Sequence, residues 1–106
     1  MTPTQDLIAF LVFVVIGLWE LDPELREMQR QILEGIVARV GQAPGIVKGY
    51  WAEGTSDPPR SHTFIVFADR MSAEAFAADV RANIENQARA GVTNLSLDLA
   101  EISATT

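Results

Sequence analysis

Residues 7 to 19, Leu-Ile-Ala-Phe-Leu-Val-Phe-Val-Val-Ile-Gly-Leu-Trp, form an unbroken apolar run rich in β-branched and aromatic side chains. Such residues favour a strand, and a strand sends alternate side chains to opposite faces of its sheet. Ile8, Phe10, Val12, Val14 and Ile16 then share one face, and Ala9, Leu11, Phe13 and Val15 share the other. Both faces must be shielded from water. In a chain of 106 residues the helices suffice for one side of a small sheet, so the other side calls for a partner.

The run is too short to be a membrane helix, which needs roughly 17–25 residues. The segment before it carries Asp6 and no Lys or Arg, and the run leads into Glu20 and Asp22 without a small-residue cleavage pattern. A signal peptide is therefore not expected, and the expected setting is cytoplasmic. Eight Lys and Arg against 14 Asp and Glu give a net charge of −6, with no basic cluster. Phosphate neutralisation supplies most nucleic-acid affinity, so neither nucleic acid nor an anionic membrane surface is an expected partner. The absence of cysteine removes disulfides, thiol nucleophiles and thiolate metal sites.

Asp22-Pro23 predicts a helix start, with Asp as N-cap and Pro in the first turn. Leu25, Met28, Ile32, Leu33, Ile36, Val37 and Val40 recur at three- and four-residue spacing and form one apolar stripe, which Gly41 and Pro44 bring to an end. Gly35 interrupts this helix, as a close backbone approach or as a tolerated glycine. Residues 46–53 and 62–68 read as strands around the turn-rich segment 54–60. Ser72 is the expected N-cap of a second helix reaching Ala90, with Met71 and Phe76 at hydrophobic-staple spacing. Leu95, Leu97 and Leu99 alternate with Ser96, Asp98 and Ala100 in a half-buried last strand.

The order β-α-β-β-α-β over residues 1–106 predicts one α+β domain of ferredoxin-like plan: a four-stranded antiparallel sheet with two helices on one face. Its strand order, 4-1-3-2, puts the two strands that are apolar on both faces in the centre. The uncovered face then predicts a homodimer, sheet against sheet, closing an α/β barrel. Leaving several large apolar side chains in water forfeits about 1.5–3 kcal/mol each, and C2 pairing is the commonest way for identical chains to hide them.

The stretch Pro44-Gly-Ile-Val-Lys-Gly-Tyr-Trp51 runs from a Pro-Gly turn into an aromatic strand. Phe64-Ile-Val-Phe-Ala-Asp69 and the helix start Ser72-Ala-Glu-Ala-Phe76 follow it. From about Ile8 to Ile102 the chain resembles the dimeric α/β-barrel superfamily, and within it the antibiotic biosynthesis monooxygenase-like group. The resemblance implies a homodimer that binds a small hydrophobic or aromatic molecule, as a cofactor-independent monooxygenase or as a non-catalytic binding or assembly module. Haem degradation is not implied. The haem-degrading members are recognised by a His on the second helix and an Asn on the first strand, and Ser72–Ala90 has no His and the 7–19 run no Asn.

Candidate site residues follow from the chemistry such a reaction requires. His62 is the only histidine and a candidate proton acceptor, with Asp98 as the alternative. Solvation beside the Pro58-Pro59 loop, and on the edge strand, is the ordinary fate of each. Trp51 can hold an aromatic ring or pack in the core. Tyr50 and Ser96 are candidate substrate contacts, although Tyr50 and Trp51 point to opposite faces, so at most one of them lines a given pocket. No set of residues has metal-ligand spacing, and no cofactor is expected.

Overall fold

The apolar run meets its expected partners across the sheet. A computed structural model describes residues 12–106; the part of the run before Val12 lies outside the described residues. β1 (Phe13–Leu21) leads through a 3-10 turn (Pro23–Leu25) into α1 (Arg26–Val40), β2 (Ile46–Glu53) and β3 (Arg60–Phe67). α2 (Arg70–Ala82), the short α3 (Ile84–Arg89) and β4 (Val92–Glu101) complete the order. The strands form one antiparallel sheet in the order β2-β3-β1-β4. This is the expected 4-1-3-2 arrangement read from the other edge, with the helices on one face.

Which parity of β1 faces the helices is now decided. Val15, Trp19 and Leu21 are buried beneath the helices, together with Ile65 and Phe67 of β3 and Ala73 and Ala77 of α2. Phe76 packs against Phe67 with ring centroids 5.1 Å apart. The opposite parity forms an open face. There the register aligns Lys48, Val66, Val14 and Ala100 in one row, and Tyr50, Phe64, Ile16 and Asp98 in the next. A third row holds Ala52, His62, Leu18 and Ser96. Tyr50 and Phe64 are 52% and 38% exposed, which leaves a patch of large apolar side chains in the middle of this face.

The second helix departs from expectation at both ends. Asp69, not Ser72, is the N-cap. Its carboxylate accepts hydrogen bonds from the Ser72 backbone N–H at 2.8 Å and the Ser72 hydroxyl at 2.9 Å, so the two residues divide the capping role. Met71 lies inside the first turn at 81% exposure and makes no staple. The helix also breaks at Asn83, whose N–H bonds the Val80 carbonyl while its own carbonyl accepts from Gln87 to begin α3.

Asp22 caps the 3-10 turn that leads into α1, accepting from the Glu24 N–H at 2.9 Å, and α1 itself follows Leu25 without a side-chain cap. The apolar stripe of α1 does not press onto the sheet along its length. Ile32 and Leu33, on its inner side, remain 39% exposed, and the helix is fastened at its ends. Buried Gln29 donates to the carbonyls of Asp22, Ala90 and Gly91, and accepts from Arg26 at 3.0 Å. At the other end, Val40, Ala43 and Ile46 pack against the core.

Two glycines test this arrangement. A methyl group at Gly35 would meet nothing within 4 Å, so the tolerated-glycine reading holds. Gly35→Ala should stabilise the fold by about 0.5–1 kcal/mol in urea denaturation. Gly91 has φ +75°, and its added Cβ would lie 2.8 Å from the Asp22 Cβ, so Gly91→Ala should destabilise in the same assay.

Candidate active site

Because α1 stands away from the sheet, a cavity of about 740 Å³ lies between them. Its floor is the helix-facing side of the sheet, and the strand register sets its composition row by row. Glu53, Ser61 and Trp19 form one row, followed by Trp51, Thr63, Gly17 and Leu97, and then by Gly49, Ile65, Val15 and Leu99. The roof is Arg26, Gln29, Ile32, Leu33, Ile36 and Val40 of α1. The far wall comes from Phe76, Asp79 and Val80 of α2, with Asn83 at the helix break and Asn86 and Gln87 of α3.

Both indoles lie back over a glycine two residues earlier on the same face. A Cβ on Gly17 would come within 2.5 Å of Trp19 Nε1, and one on Gly49 within 2.9 Å of Trp51 Cζ3. Only a residue without a side chain leaves room for a flat ring there. The Trp19 indole N–H donates to Thr63 Oγ1 at 3.3 Å, and the Thr63 hydroxyl donates to the Gly17 carbonyl at 3.5 Å. Thr63 thus holds one indole in place while standing in the same row as the other.

The candidate residues separate by face. Trp51 lines the cavity. His62, Asp98, Ser96 and Tyr50 all belong to the open-face rows, with the sheet between them and the cavity. Nor are these four brought together. β1 separates His62 from Ser96, two strand spacings of roughly 4.8 Å each, and Tyr50 and Asp98 sit on opposite edge strands. The charged side chains that line the cavity are instead Arg26, Arg30, Arg39, Glu53 and Asp79, with Ser61 and Thr63 of the floor and the amides of Gln29, Gln42, Asn83, Asn86 and Gln87 as its neutral polar groups. Arg26 bonds Glu53 through a charge-assisted contact, tying the start of α1 to the end of β2. A sequence signal for the aromatic floor existed in the recurrence of Gly-x-Trp as Gly17-Leu18-Trp19 and Gly49-Tyr50-Trp51. Among the described residues no three His, Cys, Asp or Glu form a metal-binding group, and no helix is long and apolar enough to cross a membrane.

Solved structures share this architecture. A protein from Deinococcus radiodurans, described as a candidate antibiotic biosynthesis monooxygenase, superposes with a TM-score of 0.73 at 19% identity, over 89% of this chain and 95% of that one. A protein of unknown function from Nitrosomonas europaea gives 0.72 at 15% identity, over 92% and 95%. SnoaB from Streptomyces nogalater, a cofactor-independent oxygenase, gives 0.66 at 17% identity, over 89% and 95%. No family model matches the sequence, and no curated protein matches it at the sequence level. The fold is therefore that of the antibiotic biosynthesis monooxygenase-like proteins, as the motifs implied.

The indole–glycine packing makes a measurable demand. Gly17→Ala should push the Trp19 ring off Thr63, lowering the unfolding free energy by about 1–3 kcal/mol, the usual range for overpacking. Read in a Trp51→Phe background, Trp19 emission should shift to the red. Unchanged emission and stability would contradict the packing described.

Proposed function

We propose that this chain is a homodimer, joined through the open face of its sheet, that binds a small aromatic molecule beneath α1 and oxidises it with O₂. The observation that carries this reading is the cavity itself, an apolar space floored by two indoles. Flat ligands gain most from such walls, and roughly 100 Å² of apolar surface taken from water contributes about 2.5 kcal/mol. The cofactor-independent oxygenase among the structures of the same fold supports the choice of chemistry. In that chemistry an electron-rich anion of the substrate reduces O₂ directly. One oxygen atom ends in a new product carbonyl and the other leaves as water.

The role of the protein is to hold the ring, exclude water and orient the ionisable edge of the substrate. Trp51 and Trp19 serve the first task. His62 and Asp98, on the opposite face, belong to the region assigned here to the dimer contact, along with Tyr50 and Ser96. Binding without turnover is the second reading, favoured by the inner row Gly49–Ile65–Val15–Leu99, which offers no group to move a proton.

Oxygen-electrode measurements with anthrone and quinol compounds test the reaction. Uptake is expected from the wild type, with a loss of about tenfold or more in Trp51→Ala. Thermal stabilisation by these compounds without uptake would select the binding module. Sedimentation should find a dimer at low micromolar concentration and a shift toward monomer in Phe64→Glu, which sets charge in the centre of the proposed contact. A well-folded wild-type monomer would sink the dimer.

A further inference from the structure

The cavity floor changes chemical character along the strands. The row Gly49–Ile65–Val15–Leu99 is wholly apolar, and the row Trp51–Thr63–Gly17–Leu97 carries one hydroxyl, already engaged with Trp19 and the Gly17 carbonyl. The row of Glu53, Ser61 and Trp19 is polar and closes against Arg26. Along the floor an occupant therefore meets hydrocarbon at one end and a fixed ion pair at the other, while Arg30, Arg39 and Gln42 line the cavity from α1 and the turn after it.

We propose that the Arg26–Glu53 pair is the docking point for a hydroxyl at the edge of a flat aromatic ligand, an assignment that rests on the cavity being the ligand site. Arg26 has five N–H donors. One is committed to Gln29 and one to Glu53 Oε1, while Glu53 Oε2 has no hydrogen-bond partner among the described residues. A ligand hydroxyl can donate to Oε2 while its oxygen accepts from a remaining Arg26 N–H. Both protein groups are held before the ligand arrives, because Arg26 is bound to Gln29, which is buried and anchored to three backbone carbonyls. Glu53 remains half exposed, so the polar edge of the ligand stays at the solvent side while its rings lie inward over the indoles. Asp79, the other carboxylate lining the cavity, has no ion pair or hydrogen bond among the described residues to fix its position.

Hydrogen bonds to an ionised acceptor are about twice as strong as neutral ones, so the pair should distinguish ligands by the presence of an O–H. The test is calorimetric titration of the full chain with 2-naphthol and with 2-methoxynaphthalene, which keeps the rings and the oxygen but has no O–H to donate. Wild type is expected to bind 2-naphthol at least about tenfold more tightly. The ratio should fall to within about threefold in Glu53→Ala. It should fall likewise in Arg26→Lys, which keeps the charge but loses the fork and serves should the first variant fail to fold. Equal wild-type affinities would overturn the docking point but leave the cavity as the ligand site. A preference that survives Glu53→Ala, or that is lost only in Asp79→Asn, would also overturn it. If neither compound binds the wild type, the reading of the cavity itself fails, and this assignment with it.

Discussion

The architecture depends on how α1 is fastened. A helix with an apolar stripe ordinarily buries it along its whole length. Here the strongest attachments are at the two ends. Gln29 spends its side-chain amide on three backbone carbonyls of the β1–α1 and α3–β4 connections, and Arg26 ties the same turn to the end of β2. Val40 and Ala43 dock the other end onto the core. A buried polar group is tolerated only when its hydrogen bonds are satisfied, and no buried side-chain polar atom among the described residues lacks a partner. Between these fixed points the helix spans open space, and that space is the cavity.

The sheet divides its labour by face. On the helix side, two glycines let two indoles lie flat, and the register grades the floor from an ion pair to hydrocarbon. On the other side, Val14, Ile16, Leu18, Phe64 and Val66 stand in neighbouring rows, flanked by Lys48, His62, Ser96 and Asp98. Neither face alone accounts for the chain. Packing against the helices explains Val15 and Phe67, but it gives no reason for an aliphatic stripe on the far side of the same strands.

Much of the fold was legible because it rests on local rules. The Asp22-Pro23 cap, the bounds of β2 and the central placement of β1 and β3 follow from capping chemistry and strand periodicity. The errors have local causes too. Asp69 and Ser72 are both good capping residues, and the hydroxyl of the second supports the cap made by the first. Asn83 lies inside a helical pattern, yet the chain turns there through an i to i−3 hydrogen bond. The site was less legible. His62 stands out in the sequence as the only histidine, whereas the residues that shape the cavity around the two indoles include a threonine, a serine, two glycines and an ion pair of ordinary type. None of these is distinctive until register places it beside an indole.

Strand periodicity sorted the residues of each strand into two sets, and composition required that both sets of the central strands be hidden from water. That much followed from the order of amino acids, since side chains alternate whatever surrounds them. The choice of which set meets the helices could not follow from it, because both sets are equally apolar. That choice required the helices in position. With it came the separation of Trp51 from Tyr50, of the cavity from His62 and Asp98, and the meeting of Arg26 with Glu53 across 27 positions of chain.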